Sequence, residues 1–234
     1  SQALSGWQHQ QVEEKLALRA NSLKSSLDLL MTSRISALER MAKRWQYERD
    51  VLKNDWALDS LNYLADFSDF QAIAWVNNAL LVKRIIPLEG NETVLNLDLS
   101  TKEKRRKSLE QALETGRASV SGTIDLSPGE KGFVIAIPLR IENVNNGFLV
   151  GVLKHRELLN LLMPVTGMND VSVALYENST LVSAVNFDPR IHSEYESTVD
   201  IQFGTELWKL KVNFNHDTVE ELESLWPEIV LFSG

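Results

Sequence analysis

The chain has 234 residues, 44% of them hydrophobic, with a formal charge of −8 at pH 7. Those proportions suit one large or two small globular domains and exclude a disordered body. Residues 1–154 carry 20 Lys/Arg against 19 Asp/Glu and residues 155–234 carry 4 against 13, so no broad basic face exists to displace counterions from a nucleic acid, while the absence of cysteine excludes disulfides, thiolate metal sites and a cysteine nucleophile.

Residues 7–50 contain neither proline nor glycine. Leu16, Ala20, Leu23, Leu27, Met31, Ile35, Leu38, Ala42 and Trp45 recur every three or four positions, the period of an α-helix with one buried stripe. Forty such residues span roughly 60 Å, longer than a compact domain of this size needs, so the helix reads as a stalk over residues 1–54. A second helix is predicted in "DWALDSLNYLADF", with Asp55 as its cap.

The pattern then changes. "FQAIAWV", the turn pair Asn77-Asn78 and "LLVKRIIPL" read as a hairpin. In "ETVLNLDLST" leucines alternate with Asn96 and Asp98, which places Asp98 either on the wet face of a strand or in a cavity. "STKEKRRKSLEQALETG" predicts a helix capped by Ser100 or Thr101 and closed by Gly116. "ASVSGTIDL", "GFVIAIPLR" and "GFLVGVLK" predict three strands, separated by turn chemistry in "SPGEK" and "ENVNN". Residues 55–154 therefore predict a five-stranded antiparallel sheet with interposed helices, the plan of a PAS-like module.

"HRELLNLLM" predicts a connecting helix stopped by Pro164. "VSVALYE", "TLVSAV", "STVDIQF" and "LWKLKVNF" predict four more strands, and "HDTVEELESL" a final acidic helix. This second, thinner module covers residues 155–226, with 227–234 returning toward a membrane. No apolar run approaches the roughly 18 residues of a membrane span. "LWPEIVLFSG" turns apolar at its end, which fits equally an ordinary strand or the lip of a further segment. The fold class is α+β: a long N-terminal stalk helix followed by two tandem PAS-like modules with antiparallel sheets.

Chemistry-bearing motifs are few. His9, His155, His192 and His216 never stand three or four apart, and no zincin, nucleophile-elbow, P-loop or dinucleotide pattern occurs. No cofactor or metal is expected. Asp98 and Asp125 have no spacing that selects acid–base work. The basic run Lys102, Lys104, Arg105, Arg106 and Lys107 reads as a solvated helix face, with an anion site as the sharper alternative. Arg84 sits in an almost wholly apolar strand, where burial would demand a carboxylate or a ligand acceptor. Trp75 reads as core or as the wall of an aromatic pocket.

"EQALETGRASVSG", "GFVIAIPL" and "GFLVGVLKHRELLNLLM", together with "SALERMAKRW", "DFQAIAWV", "PLEGNE" and "NLDLS", resemble the bacterial branch of the CHASE family. These are extracytoplasmic sensor domains of transmembrane receptors, the cytokinin-receptor kinases among them. The resemblance runs from about residue 34 to 163 and continues more weakly to "WPEIVL". It implies a stalk, a membrane-distal and a membrane-proximal PAS-like module, and flanking membrane helices before residue 1 and after about residue 230. It also implies a cytoplasmic histidine kinase or diguanylate cyclase output. Asp98 falls where cytokinin receptors place a ligand-bonding aspartate, Gly151 matches a pocket-floor glycine, and Thr123 lies in a strand that supplies pocket residues. The chain departs from the plant pattern between residues 71 and 95 and lacks the Arg-x-Trp-Tyr core of many amino-acid sensors, so the ligand stays open.

The resulting expectation is a periplasmic, non-enzymatic ectodomain. It would bind an unidentified small molecule through Asp98, Trp75, Arg84, Thr123 and Gly151 and signal as a homodimer through the stalk. The alternative is a dimerisation or partner-protein module without a small ligand, which a cavity filled by its own side chains would favour.

Overall fold

The computed structural model describes residues 2–47, 55–127, 129–166, 169–187, 195–215 and 217–218. Apart from residues 217–218, which are helical, the predicted acidic helix at 216–225 lies outside the described residues, as do the return segment at 227–234 and residues 48–54 of the stalk. Contacts divide the chain into two compact units: Asp28–Leu158 with Gln202–Glu206, and Ser1–Leu27, Leu159–Ile201 and Leu207–Gly234. The class is α+β, with a long N-terminal helix and antiparallel sheets.

Helix α1 (Gln2–Tyr47) forms where the periodicity demands it. Leu16, Ala20, Leu23, Leu27, Met31, Leu38, Ala42 and Trp45 are all buried. Ile35 is only half-buried, and its neighbour Arg34 is buried instead. The reason is ionic. Arg34 Nε donates to both oxygens of Asp69, at 2.9 and 2.8 Å, and the guanidinium lies 4.3 Å from the centroid of the Phe67 ring. A charge is tolerated under a helix when it is paired this closely. Helix α2 (Asp55–Asp66) follows, with Trp56 and Ser60 buried.

The first sheet contains β1 (Phe70–Val76), β2 (Val82–Ile86), β3 (Ser119–Val120), β4 (Ile124–Ser127), β5 (Glu130–Ile141) and β6 (Val144–Lys154). Its order is β2-β1-β6-β5-β3, with β4 also pairing to β5. Antiparallel register sets Ala74 opposite Val150 and Val150 opposite Ala136. Alternation then separates two faces. Ala72, Ala74, Val76, Val134, Ala136 and Val150 share one, and helix α3 (Glu103–Thr115) brings Leu109 and Ala112 to it. Ile73, Trp75, Ile135, Leu149 and Gly151 share the other, where Leu38 of α1 packs. Helix α3 ends at Gly116, whose φ of 68° is the left-handed cap expected of it.

Two local readings are corrected. "ASVSGTIDL" is not one strand, because Gly122-Thr123 leaves the ladder between β3 and β4, while Ser121 keeps one backbone bond, its N–H to the Val134 carbonyl at 2.9 Å. There the Ser121 hydroxyl accepts the Val134 N–H at 3.0 Å and takes the place of a strand carbonyl. The alternating "ETVLNLDLST" is not a strand either. It forms two 3-10 turns, Glu92–Val94 and Leu99–Thr101, with a single bridge from Asp98 to Leu81. Asn96, at φ 64°, reverses the chain and breaks the period.

Helix α4 (His155–Thr166) continues through Pro164 rather than stopping there. The proline falls in the last turn, where its missing N–H removes a single backbone bond. In the second unit β7 (Val171–Glu177), β8 (Thr180–Val185), β9 (Glu196–Phe203) and β10 (Glu206–Phe214) form a sheet of order β8-β7-β10-β9. Trp208 is fully buried in its core and donates to Glu177 Oε1 at 3.3 Å.

Candidate functional site

The α3-covered face of the first sheet is built from small residues. Ala74, Val134 and Val150 project little, so a space remains beneath Leu109 of α3 and Leu99 of the turn segment. It is a cavity of about 50 Å³ with mainly apolar walls, where the liquid-volume share of one water is about 30 Å³.

Three polar side chains reach it: Gln71, Asn91 and Arg105. Asn91 is buried, and its Nδ2 donates to the Pro87 carbonyl at 2.9 Å. A carbonyl only accepts, so this bond fixes the Asn91 amide with Oδ1 free to receive Gln71 Nε2, at 3.3 Å. Gln71 is fixed in turn. Its Oε1 is left buried with no hydrogen-bond partner among the described residues.

Arg105 is half-buried on α3. Its Nη2 donates one long bond, 3.4 Å, to the backbone carbonyl of Asp125. The Asp125 carboxylate is itself paired with Lys131 at 3.2 Å. Burial pushes the Arg105 guanidinium below its ordinary range, and Asp125 opposes this only through space. A planar cation with five N–H donors is thus left underused beside an apolar cavity.

A second cavity, of about 690 Å³, is more open. Its lining carries Lys43, Arg117 and Arg140 together with Glu39 and Glu142. That near-balanced set meets solvent, where ion contacts are weak. The smaller cavity is the less open of the two, and exclusion of water strengthens polar contacts inside such a space.

None of the five residues expected to bind a ligand lines the enclosed cavity. Asp98 caps the turn that follows it, its Oδ1 accepting the Ser100 N–H at 2.9 Å. Hydrogen bonds from Ser100, through its hydroxyl first and its backbone second, hold the Asp98 carboxyl below its ordinary range. Trp75 and Arg84 stand opposite each other in the β1–β2 register, on the face away from the cavity. The Trp75 indole donates to the Asn146 carbonyl at 3.2 Å. Gly151 shares that face. A Cβ there would lie 2.6 Å from Phe70 and 2.7 Å from Leu38, so the glycine makes room for helix packing, not for a pocket floor. Thr123 is buried, with Oγ1 3.0 Å from His155 Nε2, and its carbonyl accepts Lys104 Nζ at 2.8 Å.

A depressed folded-state pKa contributes stability above the ordinary value of 3.8, lost as pH falls through the folded value. Asp98→Ala is therefore expected to lower the urea midpoint at neutral pH and to match the wild type at the acid end. It should leave ligand binding unchanged, and a variant that no longer binds would put Asp98 back in the site.

Gln71 and Arg105 line the cavity without standing among the five expected residues; Arg105 enters the sequence reading only within the basic run, as the sharper anion-site alternative. Arg105, Leu109 and Ala112 lie on one helical stripe, so the period of α3 already pointed Arg105 inward. Gln71 sits at a register shift between Phe70 and Ala72, where strand alternation assigns no face.

A family model described as the CHASE domain matches residues 37–187. No curated protein sequence matches the chain. Solved structures share the fold at low identity. The ligand-binding domain of the amino-acid chemoreceptor PctC of Pseudomonas aeruginosa PAO1, in complex with GABA, aligns at TM-score 0.61 and 15% identity, covering 87% of this chain and 99% of that one. A domain of a sensory box/GGDEF family protein of Vibrio parahaemolyticus aligns at 0.62 and 14%, covering 91% and 99%. The extracellular domain of the histidine kinase vpHK1S-Z8 aligns at 0.62 and 15%, covering 92% and 93%.

Proposed function

The chain belongs to the CHASE domain family, and from that premise we propose that it is the extracytoplasmic, ligand-sensing part of a membrane receptor, with its ligand held in the enclosed cavity under α3. The single observation that carries this reading is that cavity: apolar-walled, roofed by Leu99 and Leu109, and reached by a few fixed polar groups. The neighbours support it in kind, one being a chemoreceptor ligand-binding domain in complex with GABA and another the extracellular domain of a histidine kinase. The chain itself would be non-catalytic and periplasmic. A cytoplasmic kinase or cyclase would supply the output, and membrane segments outside residues 1–234 the anchor. No helix of the described residues is long and apolar enough to cross a membrane. Ligand would act by favouring one of two receptor arrangements through its differential affinity for them.

A second reading is favoured by the size of the cavity, which at about 50 Å³ is largely filled by its own walls. On that reading the unit is a dimerisation or partner-binding module.

A thermal-shift screen with organic acids, amino acids and purines separates the two. A true ligand at a hundred times its Kd stabilises by about 2.7 kcal/mol, or roughly 5–11 °C for a chain of this length. Ala74→Leu adds three carbons to the cavity wall, and the shift should vanish in that variant. A hit that shifts Ala74→Leu equally places the site elsewhere. A screen without a hit favours the interaction module.

A further inference from the structure

We infer that the enclosed cavity selects a short aliphatic hydroxy-monocarboxylate, its carboxylate on the Arg105 guanidinium and its hydroxyl donating to Gln71 Oε1. The inference rests on the reading of that cavity as the ligand site and names the ligand class it takes.

The charge follows from Arg105. Among the described residues its one bond goes to the Asp125 carbonyl at 3.4 Å, the neighbouring carboxylate is paired with Lys131, and the side chain lines the apolar space. A partly desolvated guanidinium with one long bond has donors to spare, and a carboxylate matches its planar fork with two parallel bonds. Two features restrict the ligand to one negative charge. Among the described residues Arg105 is the only cation lining the cavity, and the remaining walls are aliphatic except at Gln71 and Asn91. A phosphate or a second carboxylate would turn unpaired oxygens against valine and leucine.

The hydroxyl follows from Gln71. The Pro87 carbonyl orients Asn91, and Asn91 orients Gln71, so the buried atom left over is an acceptor. It requires a donor from the ligand. A hydroxyl supplies one without a charge. An ammonium would have to be desolvated against a neutral amide, with no carboxylate among the described residues of the lining to pair it, so amino acids are disfavoured relative to hydroxy acids of the same size. The small volume, about 50 Å³ or less than two waters' share of the liquid, favours ligands of few heavy atoms. Even a four-carbon acid exceeds it, so entry requires the turn segment that carries Val94 and Leu99 to be displaced.

The test is isothermal titration of the 234-residue protein with 2- and 3-hydroxybutyrate as probes, against butyrate, 3-hydroxybutyramide and 2-aminobutyrate. At least one hydroxybutyrate should bind. Butyrate should bind about tenfold more weakly for want of the hydroxyl, and the amide and the amino acid more weakly still. Arg105→Met keeps the length of the side chain, removes a desolvated charge and should weaken the hydroxy acid about a hundredfold. Arg105→Lys keeps the charge without the fork and should lose less. The same titrations on Ala74→Leu separate the two levels of the claim. A neutral or cationic compound whose binding is abolished by Ala74→Leu and untouched by Arg105→Met would overturn the hydroxy-acid class and keep the site. Hydroxybutyrate bound equally by Ala74→Leu would overturn the site. Absence of binding for both hydroxybutyrates at about 10 mM, with circular dichroism confirming the fold, would overturn the inference.

Discussion

Asp69→Ala is expected to destabilise the protein by about 3–5 kcal/mol, the usual loss when one partner of a buried ion pair is removed. Asp69 is fully buried at the entry to β1, and Arg34 of α1 is 7% exposed. Both Asp69 oxygens accept from Arg34 Nε, while the Asp69 carbonyl accepts the Lys154 N–H from the end of β6 at 2.9 Å. One residue thus joins the helix to the two central strands. Its loss leaves a guanidinium buried against the Phe67 ring without a counterion. Urea denaturation measures the loss, and two comparisons isolate its cause. Arg44→Ala breaks a partly exposed pair with Asp59 and should cost about 0–1 kcal/mol. The double replacement Arg34→Met with Asp69→Leu removes both charges and should recover most of the stability. A loss for Asp69→Ala no larger than for Arg44→Ala would show that the pair is not buried as described.

Gly151→Ala is expected to cost about 1–3 kcal/mol through overpacking, without changing ligand binding. The added methyl would meet Phe70 and Leu38 at 2.6 and 2.7 Å, contacts that require the helix or the ring to shift. Because Gly151 and Val150 project from opposite faces of β6, the strain should stay on the α1 side while the cavity wall keeps its shape. Chemical denaturation reports the first effect and calorimetry of a bound ligand the second. Unchanged stability with lost binding would exchange the roles of the two faces.

The elements were legible in the sequence wherever periodicity acts alone. Helix α1 declares itself by its 3.6-residue stripe, and β1, β5 and β6 by apolar runs between turn residues. Elsewhere, side chains override the pattern. The Ser121 hydroxyl substitutes for a backbone partner and splits a strand, and Asn96 in a left-handed conformation converts an alternating decapeptide into two turns. The site was less legible for the same reason. Resemblance selected Asp98, Thr123 and Gly151, but face assignment depends on register, and a register is not visible in one strand by itself. Arg105 was hidden in a run of five basic residues that reads as a solvated surface. Only its offset of four from Leu109 set it apart. Gln71 had no such signal, since its orphaned acceptor arises from a relay of amides between Pro87, Asn91 and β1.

On the proposed function the ligand lies under α3, on the sheet face away from α1. A crystal structure of the protein grown with the tightest-binding compound from the screen decides this. Electron density is expected between Ala74, Val150 and Leu109, with an acidic group on Arg105 and a donor on Gln71 Oε1. Density in the open groove beside Lys43 and Arg140, or on the face that carries Trp75 and Arg84, with the α3 cavity empty, would contradict it.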